Sequence, residues 1–276
     1  MLGAIIGDIA GSRYEFHNIK NKNFELLNMY CDFTDDSVMS FAVAKTLLEC
    51  GHGADEKTIF DRTVKNMQDF GNRYPHRGYG GHFAEWLESN NPKPYNSCGN
   101  GAPMRISPVG FFAETEEELK LYSKAITETT HNHKEGIKAA EAVAMAIFMA
   151  RHGATKDEIK ERMIKDYYPE LATEKSSYEF LLENYGWDYG GDGGLAQYST
   201  PQAIACFMIG ENFEDVIKTC VSIGGDSDTI AAMAGGIAEA FYGIDPKLQT
   251  YALHYLPTEF KDILTDFENK FTPERK

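Results

Sequence analysis

The chain has 276 residues, of which 42% are hydrophobic and 25% are charged, and this composition excludes a disordered or fibrous protein. Its 27 basic and 42 acidic side chains give a formal net charge of −15, and no basic stripe runs along the sequence. Such a charge argues against a protein that binds a nucleic-acid backbone or an anionic membrane surface.

The cysteines and the N-terminal segment bear on the cellular compartment. The five cysteines are odd in number, widely spaced and without a C-x-x-C pair, which excludes a disulfide framework and a zinc ribbon. Residues 1–15 lack a basic start and include Asp8, so we expect no signal peptide. No apolar run approaches the roughly 20 residues that span a bilayer. We therefore expect a cytoplasmic protein, and a monomer as its simplest state.

Apolar residues recur at the helical spacing over most of the chain, and strict alternation of apolar and polar residues is nearly absent. The predicted fold class is therefore all-α, and without a linker or a fixed-period repeat we expect one domain, residues 1–276. The segments predicted as helices are 37–48, 116–129, 135–151, 200–209, 212–223 and 229–242. Segments rich in Gly, Asn, Pro or aromatic residues are predicted as loops at 72–81, 90–108 and 185–194. Loops of this kind usually carry function, so we expect specificity to lie in the first and third.

The first acidic motif lies just before a predicted helix. Thr34 is well placed as its N-cap, and Asp35 and Asp36 would then occupy the first turn, where acids complement the helix dipole. Two adjacent acids exceed what capping needs, so this motif is also a candidate ligand set.

The second acidic motif, residues 224–229, combines two glycines with two aspartates. Asp226 and Asp228 cannot share a helix face at a spacing of two, so they converge only across a turn, which Gly224 and Gly225 permit. The helix that follows has very small side chains and is predicted to be buried against close neighbours. Acids at the mouth of a buried helix are costly unless they are paired or bound to a cation.

The combined donor set contains only oxygen: threonine hydroxyls, aspartate carboxylates and Glu15 as a further candidate. Such ligands select Mg²⁺, Mn²⁺ or Ca²⁺ over Zn²⁺. They can hold two ions about 3.5–4 Å apart, as in two-metal hydrolases. An EF-hand is excluded, because the rest of its twelve-residue loop is missing.

A glycine loop and a histidine pair are further candidates. Backbone amides at 97–101 can form an anion nest or a plain turn. Arg105 can pair with a phosphate or serve as a buried arginine bound to backbone carbonyls. For His131 and His133 we expect a capping turn in which one imidazole faces the cleft.

Taken together and in order, these segments resemble the ADP-ribosylglycohydrolase family, which removes ADP-ribose from arginine or serine. The resemblance spans nearly the whole chain. The matching stretches are 3–12 with Tyr14 and Glu15, 33–36, 99–101 with Met104 and Arg105, Thr130 with His131 and His133, and 224–229.

The resemblance implies a compact all-α fold with a binuclear metal centre in a central cleft, and a hydrolase that cleaves ADP-ribose from a protein side chain or a small conjugate. It implies two divalent cations, Mg²⁺ or Mn²⁺. The positions that match metal ligands are Thr34, Asp35, Asp36, Asp226, Asp228 and Thr229. Glu15 matches an acid beside the metals, and Glu15, Asp35 and Asp36 are the candidate general acid or base. The positions that match ADP-ribose contacts are Ser97, Gly99, Asn100, Gly101 and His131.

Two details of the substrate site are specific to this chain. Some relatives carry an aromatic residue just before Gly-Asn-Gly, where this sequence has Cys98. We expect the adenine to stack on a loop aromatic, either Tyr95 or Tyr79.

Three alternatives keep the same residues and change the function. A two-metal phosphohydrolase would attack phosphorus and release AMP. A catalytically weak relative would bind ADP-ribose without turnover. A calcium-stabilised helical module would lose its fold in a chelator.

Overall fold

A computed structural model describes residues 1–188 and 193–271, and within these ranges the chain is helical and contains no β-strand. The helices are α1 (Leu2–Ser12), α2 (Asp35–Cys50), α3 (Glu56–Arg73), α4 (Gly81–Glu88), α5 (Ser107–Phe112), α6 (Glu116–Thr127), α7 (Lys134–Arg151), α8 (Lys156–Asp166), α9 (Tyr178–Asn184), α10 (Ala196–Ile209), α11 (Phe213–Ile223), α12 (Ser227–Tyr242), α13 (Pro246–Ala252) and α14 (Thr258–Phe271). The all-α prediction is confirmed. Among the described helices, none combines the length and the apolar character that a bilayer crossing requires.

All six predicted helices are present, with shifted ends. Helix α2 begins two residues earlier than predicted, because Thr34 is its N-cap and accepts a hydrogen bond from the Asp36 backbone N–H. Helix α10 begins four residues early and continues through Pro201. Of the predicted loops, 72–81 is irregular between α3 and α4, and 90–108 ends in a 3₁₀ turn, Pro103–Arg105, and the start of α5. The third, 185–194, includes residues 189–192, which lie outside the described residues.

Helix α1 is not predicted by periodicity, because both of its sides face protein. Every residue from Leu2 to Gly11 is buried, including Asp8. A helix without a solvent face has no polar stripe, so the helical spacing of apolar residues carries no signal there.

Helices α1 and α12 pack at very short range along a line of glycines. A Cβ atom added at Gly7 would lie 2.0 Å from the carbonyl oxygen of Ala231, and one at Gly3 would lie 2.4 Å from that of Gly235. At the other end, a Cβ at Gly11 would lie 2.4 Å from Asp228 Cα. The small-residue helix predicted to be central and buried is therefore confirmed as α12, which also contacts α7, α10 and α11.

The free end of α1 is fixed by one acid of α12. The Met1 ammonium donates to Glu239 Oε1 at 2.9 Å, and the Gly3 backbone N–H donates to Glu239 Oε2 at 2.7 Å. At the opposite end, Ser227 Oγ donates to the Gly11 carbonyl at 3.1 Å. These contacts set the register of α1 against α12 and bring the end of α1 to the first turn of α12.

We expect the substitution Gly7→Ala to lower the free energy of unfolding by about 2–3 kcal/mol, because the added methyl group must push α1 away from α12. Chemical denaturation measures this change. The matched control is Gly81→Ala, where a Cβ meets nothing within 4 Å and the expected change is below about 0.5 kcal/mol. A Gly7→Ala protein as stable as the parent would contradict this account of the interface.

Candidate active site

The first turns of α2 and α12 lie side by side. Thr229 Oγ1, in the first turn of α12, donates to Asp36 Oδ2 of α2 at 3.2 Å, although the two residues are 193 positions apart. The sequence-based expectation that the two acidic motifs converge is therefore confirmed. Both sets of acids lie at helix N-termini, where the helix dipole favours negative charge.

The converging carboxylates form two groups that share one member. Oxygen atoms of Asp8, Asp36 and Asp228 lie within 4.8 Å of one another, and so do oxygen atoms of Glu15, Asp226 and Asp228. Each group offers three oxygen donors, which is the chemistry that Mg²⁺ and Mn²⁺ prefer.

Two of these acids are deeply buried and incompletely hydrogen-bonded within the described residues. Asp36 is 2% exposed and Asp228 3% exposed, and the Oδ1 atom of each is buried without a hydrogen-bond partner in the described part of the chain. Burial, and then the neighbouring carboxylates, raise the pKa of both side chains well above the usual value. Burial and the charges of Asp226 and Asp8 raise the pKa of Glu15 to about 7. A buried carboxylate oxygen without a donor costs free energy, so these residues fit a cation.

Asp8 belongs to the same cluster but already has its hydrogen bonds. Its two carboxylate oxygens accept from the backbone N–H and hydroxyl of Thr34 and from the backbone N–H and hydroxyl of Ser37. These four donors satisfy most of the lone pairs of the Asp8 carboxylate. We therefore infer that Asp8 holds the first turn of α2 against α1. Burial nevertheless raises its pKa to about 6. The sequence placed Asp8 in a matching stretch without giving it a role.

The structure separates the other two residues of the first motif. Asp35 is half-buried and lines the cavity described below, with its backbone N–H bound to the Arg77 carbonyl at 2.8 Å. Burial and the charges of Asp8 and Asp226 raise its pKa well above the usual value. Thr34 donates its hydroxyl to Asp8 at 2.7 Å and caps α2 with its oxygen. Metal ligation by Thr34 stays a prediction.

The second motif is held by residues that sequence reasoning missed. Gly224 and Gly225 adopt φ values of 78° and 74°, which confirms the predicted turn. The Asn18 side-chain amide donates to the Gly225 carbonyl at 3.0 Å and accepts from the Gly225 N–H at 2.8 Å. The Lys20 ammonium donates to the carbonyls of Tyr185 and Ile223. No local spacing could indicate these contacts, because partners more than 160 positions apart meet only in the fold.

A cavity of about 750 Å³ opens beside the acids, a volume within the usual range for small-molecule sites. It is lined from the cluster by Glu15, Asp35, Asp36, Asp226, Asp228 and Thr229, and from the predicted substrate positions by Ser97, Gly99, Asn100, Gly101 and His131. Both loops expected to carry specificity reach it, 72–81 through Gly78, Gly80 and Gly81, and 185–194 through Trp187 and Gly194. Thr34 is the one predicted site residue that does not line it.

The glycine loop contacts the acids through a side chain. Asn100 Nδ2 donates to Asp226 Oδ2 at 2.6 Å, while the Asn100 backbone N–H donates to the Gly194 carbonyl at 2.9 Å. The Gly99 backbone N–H donates to Ser97 Oγ at 3.2 Å. The amides of Gly99 and Asn100 therefore already have partners inside the protein, which favours the plain-turn alternative at these two positions.

Arg105 and the histidines have definite partners. Arg105 is 1% exposed, lines the cavity and donates from Nη2 to Thr130 Oγ1 at 2.7 Å, and among the described residues no backbone carbonyl accepts from it. Burial lowers its pKa to about 10, which leaves it charged at neutral pH. His133 caps α7 and His131 lines the cavity, which confirms the predicted turn with one imidazole facing the cleft.

Glu15 is held by an aromatic residue that the sequence did not single out. Trp187 Nε1 donates to the Glu15 carbonyl at 2.8 Å, and its ring lies parallel to that of Phe16 with 6.1 Å between centroids. Phe16 is 75% exposed, so this pair stands at the edge of the cavity. The contacts of Trp187 with Glu15 and Phe16 hold the backbone at Glu15, whose side chain extends towards the other acids.

In the described part of the chain, an all-helical fold holds a ligand-sized cavity lined by carboxylates, two of which keep a buried oxygen without a hydrogen-bond partner. This arrangement is that of a helical enzyme that uses acidic side chains on its substrate. The profile of a family described as ADP-ribosylglycohydrolase matches residues 1–272. The chain belongs to the ADP-ribosylglycohydrolase family and is a glycohydrolase.

Individual relatives agree with this assignment. Human ADP-ribosylhydrolase ARH3 is 26% identical, over 96% of this chain and 90% of its own length. ADP-ribosylarginine hydrolase Tri1 of Pseudomonas putida (strain GB-1) is 24% identical, over 88% of this chain and 70% of its own. The structure of an ADP-ribosylglycohydrolase-related protein complex is similar with a TM-score of 0.68 at 23% identity, covering 97% of this chain and 95% of that one.

We expect a divalent cation to stabilise this protein more at about pH 8 than at about pH 5. Raised pKa values mean that the folded state binds protons more tightly than the unfolded state does, so protonation favours folding. That contribution is lost as the pH rises through about 6 for Asp8 and about 7 for Glu15, when the repelling carboxylates ionise. A cation then replaces the protons. Thermal unfolding in EDTA and in Mg²⁺ or Mn²⁺ at both pH values measures the difference; an equal cation effect at both would contradict the cluster's assignment.

Proposed function

We propose that the protein is a metal-dependent hydrolase that cleaves the glycosidic bond between ADP-ribose and an acceptor. The observation that carries the proposal is the cluster of buried carboxylates, with unpaired oxygens on Asp36 and Asp228, at the wall of a cavity large enough for a nucleotide ligand. Family membership supplies the reaction class, and relatives named as ADP-ribosylhydrolase and ADP-ribosylarginine hydrolase support the substrate class.

The residues proposed to hold two divalent cations, Mg²⁺ or Mn²⁺, are Thr34, Asp35, Asp36, Asp226, Asp228 and Thr229. The all-oxygen donor set supports this assignment, and three of the six residues, Asp36, Asp226 and Asp228, belong to the two overlapping carboxylate groups. When bound, the cations would supply Lewis-acid chemistry beside the distal ribose and its attacking water.

The acids of the chain have two further tasks. Positive charge that develops on the sugar in an oxocarbenium-like transition state is stabilised by nearby carboxylates. A proton must also be taken from the water and delivered to the leaving group. Among Glu15, Asp35 and Asp36, we propose Glu15 for this second task, because it lines the cavity beside Asp226 and Asp228 and is not itself one of the proposed metal ligands. Its backbone is fixed by Trp187 at the edge of the cavity.

ADP-ribose is proposed to occupy the cavity along the glycine loop, against Ser97, Gly99, Asn100, Gly101 and His131. Of the two aromatic candidates for adenine stacking, we propose Tyr95, because it lines the described cavity and Tyr79 does not. The Tyr79 hydroxyl donates to the Tyr74 carbonyl at 2.9 Å.

We expect Asp36→Asn and Asp228→Asn to reduce turnover of ADP-ribosylated peptides by about a hundredfold or more, equivalent to roughly 3 kcal/mol of transition-state stabilisation. Each change keeps the side-chain shape and removes a charge that holds a cation. The matched control is Asp157→Asn, an exposed aspartate in the first turn of α8, which should keep full activity. Turnover is followed with arginine-linked and serine-linked substrates, with Mg²⁺ and with EDTA.

The product that is released, and the activity that remains in EDTA, distinguish this function from its alternatives. Release of free ADP-ribose supports the proposal, and release of AMP would identify a phosphohydrolase. Binding of ADP-ribose by the parent protein without turnover of any substrate would identify a binding protein. Full turnover by a folded Asp228→Asn variant would remove the metal mechanism.

We expect Tyr95→Ala to weaken ADP-ribose binding by about tenfold to a hundredfold, because base stacking on an aromatic ring contributes roughly 1–3 kcal/mol. Calorimetric titration of the Mg²⁺-loaded protein measures the affinity. The control is Tyr251→Ala, which removes a 46% exposed ring that does not line the cavity. Equal affinities of the two variants would place the adenine elsewhere.

A further inference from the structure

Three buried polar side chains beside the cavity are joined by hydrogen bonds. Arg105 is 1% exposed, Thr130 0% and His131 3%. Arg105 Nη2 lies 2.7 Å from Thr130 Oγ1, and the same oxygen lies 2.7 Å from His131 Nδ1. The threonine hydroxyl therefore connects the guanidinium to the imidazole.

The direction of these hydrogen bonds follows from the donors available. A guanidinium can only donate, so Thr130 Oγ1 accepts from Arg105. Within the described residues, the Thr130 hydroxyl has no neighbour other than His131 Nδ1 to which its own proton can go. A buried hydroxyl without an acceptor costs about 1–3 kcal/mol, so the proton is donated to Nδ1. Nδ1 then carries a lone pair, and the ring proton is on Nε2.

The protonated nitrogen faces the cavity. A Cβ atom placed on Gly101 would lie 3.3 Å from His131 Nε2, and one on Gly99 would lie 3.9 Å from it. Both glycines line the cavity together with His131, and in the described part of the chain Nε2 makes no hydrogen bond. The absence of side chains at these two positions leaves the Nε2–H group uncovered.

The same surroundings keep the ring neutral. Burial, and then the positive charge of Arg105, lower the pKa of His131 well below its usual value. A neutral ring with Nδ1 occupied can offer the cavity one donor and no acceptor.

We propose that Thr130 is a positioning residue which, together with Arg105, holds His131 as its Nε2–H tautomer, so that the cavity presents a fixed hydrogen-bond donor to an oxygen atom of ADP-ribose. The identity of the ligand rests on the proposed function, whereas the tautomer concerns the free protein alone. Polarisation of the hydroxyl by the guanidinium strengthens the Thr130 hydrogen bond, as in other chains of hydrogen bonds.

The tautomer is tested first by nitrogen NMR of protein labelled with ¹⁵N-histidine, between about pH 6 and pH 8. The His131 signals are assigned by their loss in His131→Gln. We expect a neutral ring with the proton on Nε2 throughout this range. A proton on Nδ1, or a doubly protonated ring at neutral pH, in the parent protein would overturn the proposal without any need for a variant.

The role of Thr130 is tested with a matched pair of substitutions. Thr130→Val keeps the shape and removes the hydroxyl, so we expect a mixture of tautomers and ADP-ribose affinity about tenfold lower. Thr130→Ser keeps the hydroxyl, so the Nε2–H tautomer and the affinity should be retained. A folded Thr130→Val protein with unchanged tautomer and affinity would contradict the relay.

Parallel titrations with ADP-ribose and with ADP locate the contact. If Thr130→Val weakens binding of both, the acceptor lies in the ADP part of the ligand; if it weakens binding of ADP-ribose alone, the acceptor belongs to the distal ribose. Either result supports the relay. A parent protein that shows the Nε2–H tautomer but binds neither ligand would overturn the proposed function and the ligand named here, while the tautomer assignment would stand.

Discussion

Mutual repulsion among buried carboxylates is the constraint on which the rest of this structure depends. Acids from α1, from the segment just after it and from the N-termini of α2 and α12 meet, and among the described residues two of them keep a buried oxygen without a donor. Burial, and then this repulsion, raises the pKa values of the cluster, and protonation or a bound cation relieves the repulsion. Other parts of the fold then serve to hold these acids together.

Contacts from distant parts of the chain hold these acids in place. The glycine line of α1 allows it to lie directly on α12, and Asp8 uses four donors to attach α2 to α1. Asn18 and Lys20 hold the turn before α12. Asn100 donates its side-chain amide to Asp226, and His131 lines the same cavity as the acids.

Much of the candidate site could be predicted from the sequence because its motifs are local. The cap at Thr34, the turn at Gly224 and Gly225 and the close-packing helix after Asp228 follow from a few neighbouring residues each. The roles of Arg105 and of the glycine-loop amides could not be predicted, because each depends on which partner lies within hydrogen-bonding distance. Helix α1 could not be predicted from periodicity, because it is buried on all sides and therefore has no polar stripe.

The sequence by itself determined the all-α class, the acidic motifs and the family to which they belong, because helix propensity, capping and motif chemistry act over a few consecutive residues. Only the tertiary structure decided which acids share a cation-sized space, that Asp8 holds α2, and that a threonine links Arg105 to His131. The physical reason is that a hydrogen bond between residues 193 positions apart, such as Thr229 to Asp36, exists only after helices have packed. Packing at that range depends on the shapes of many side chains at once.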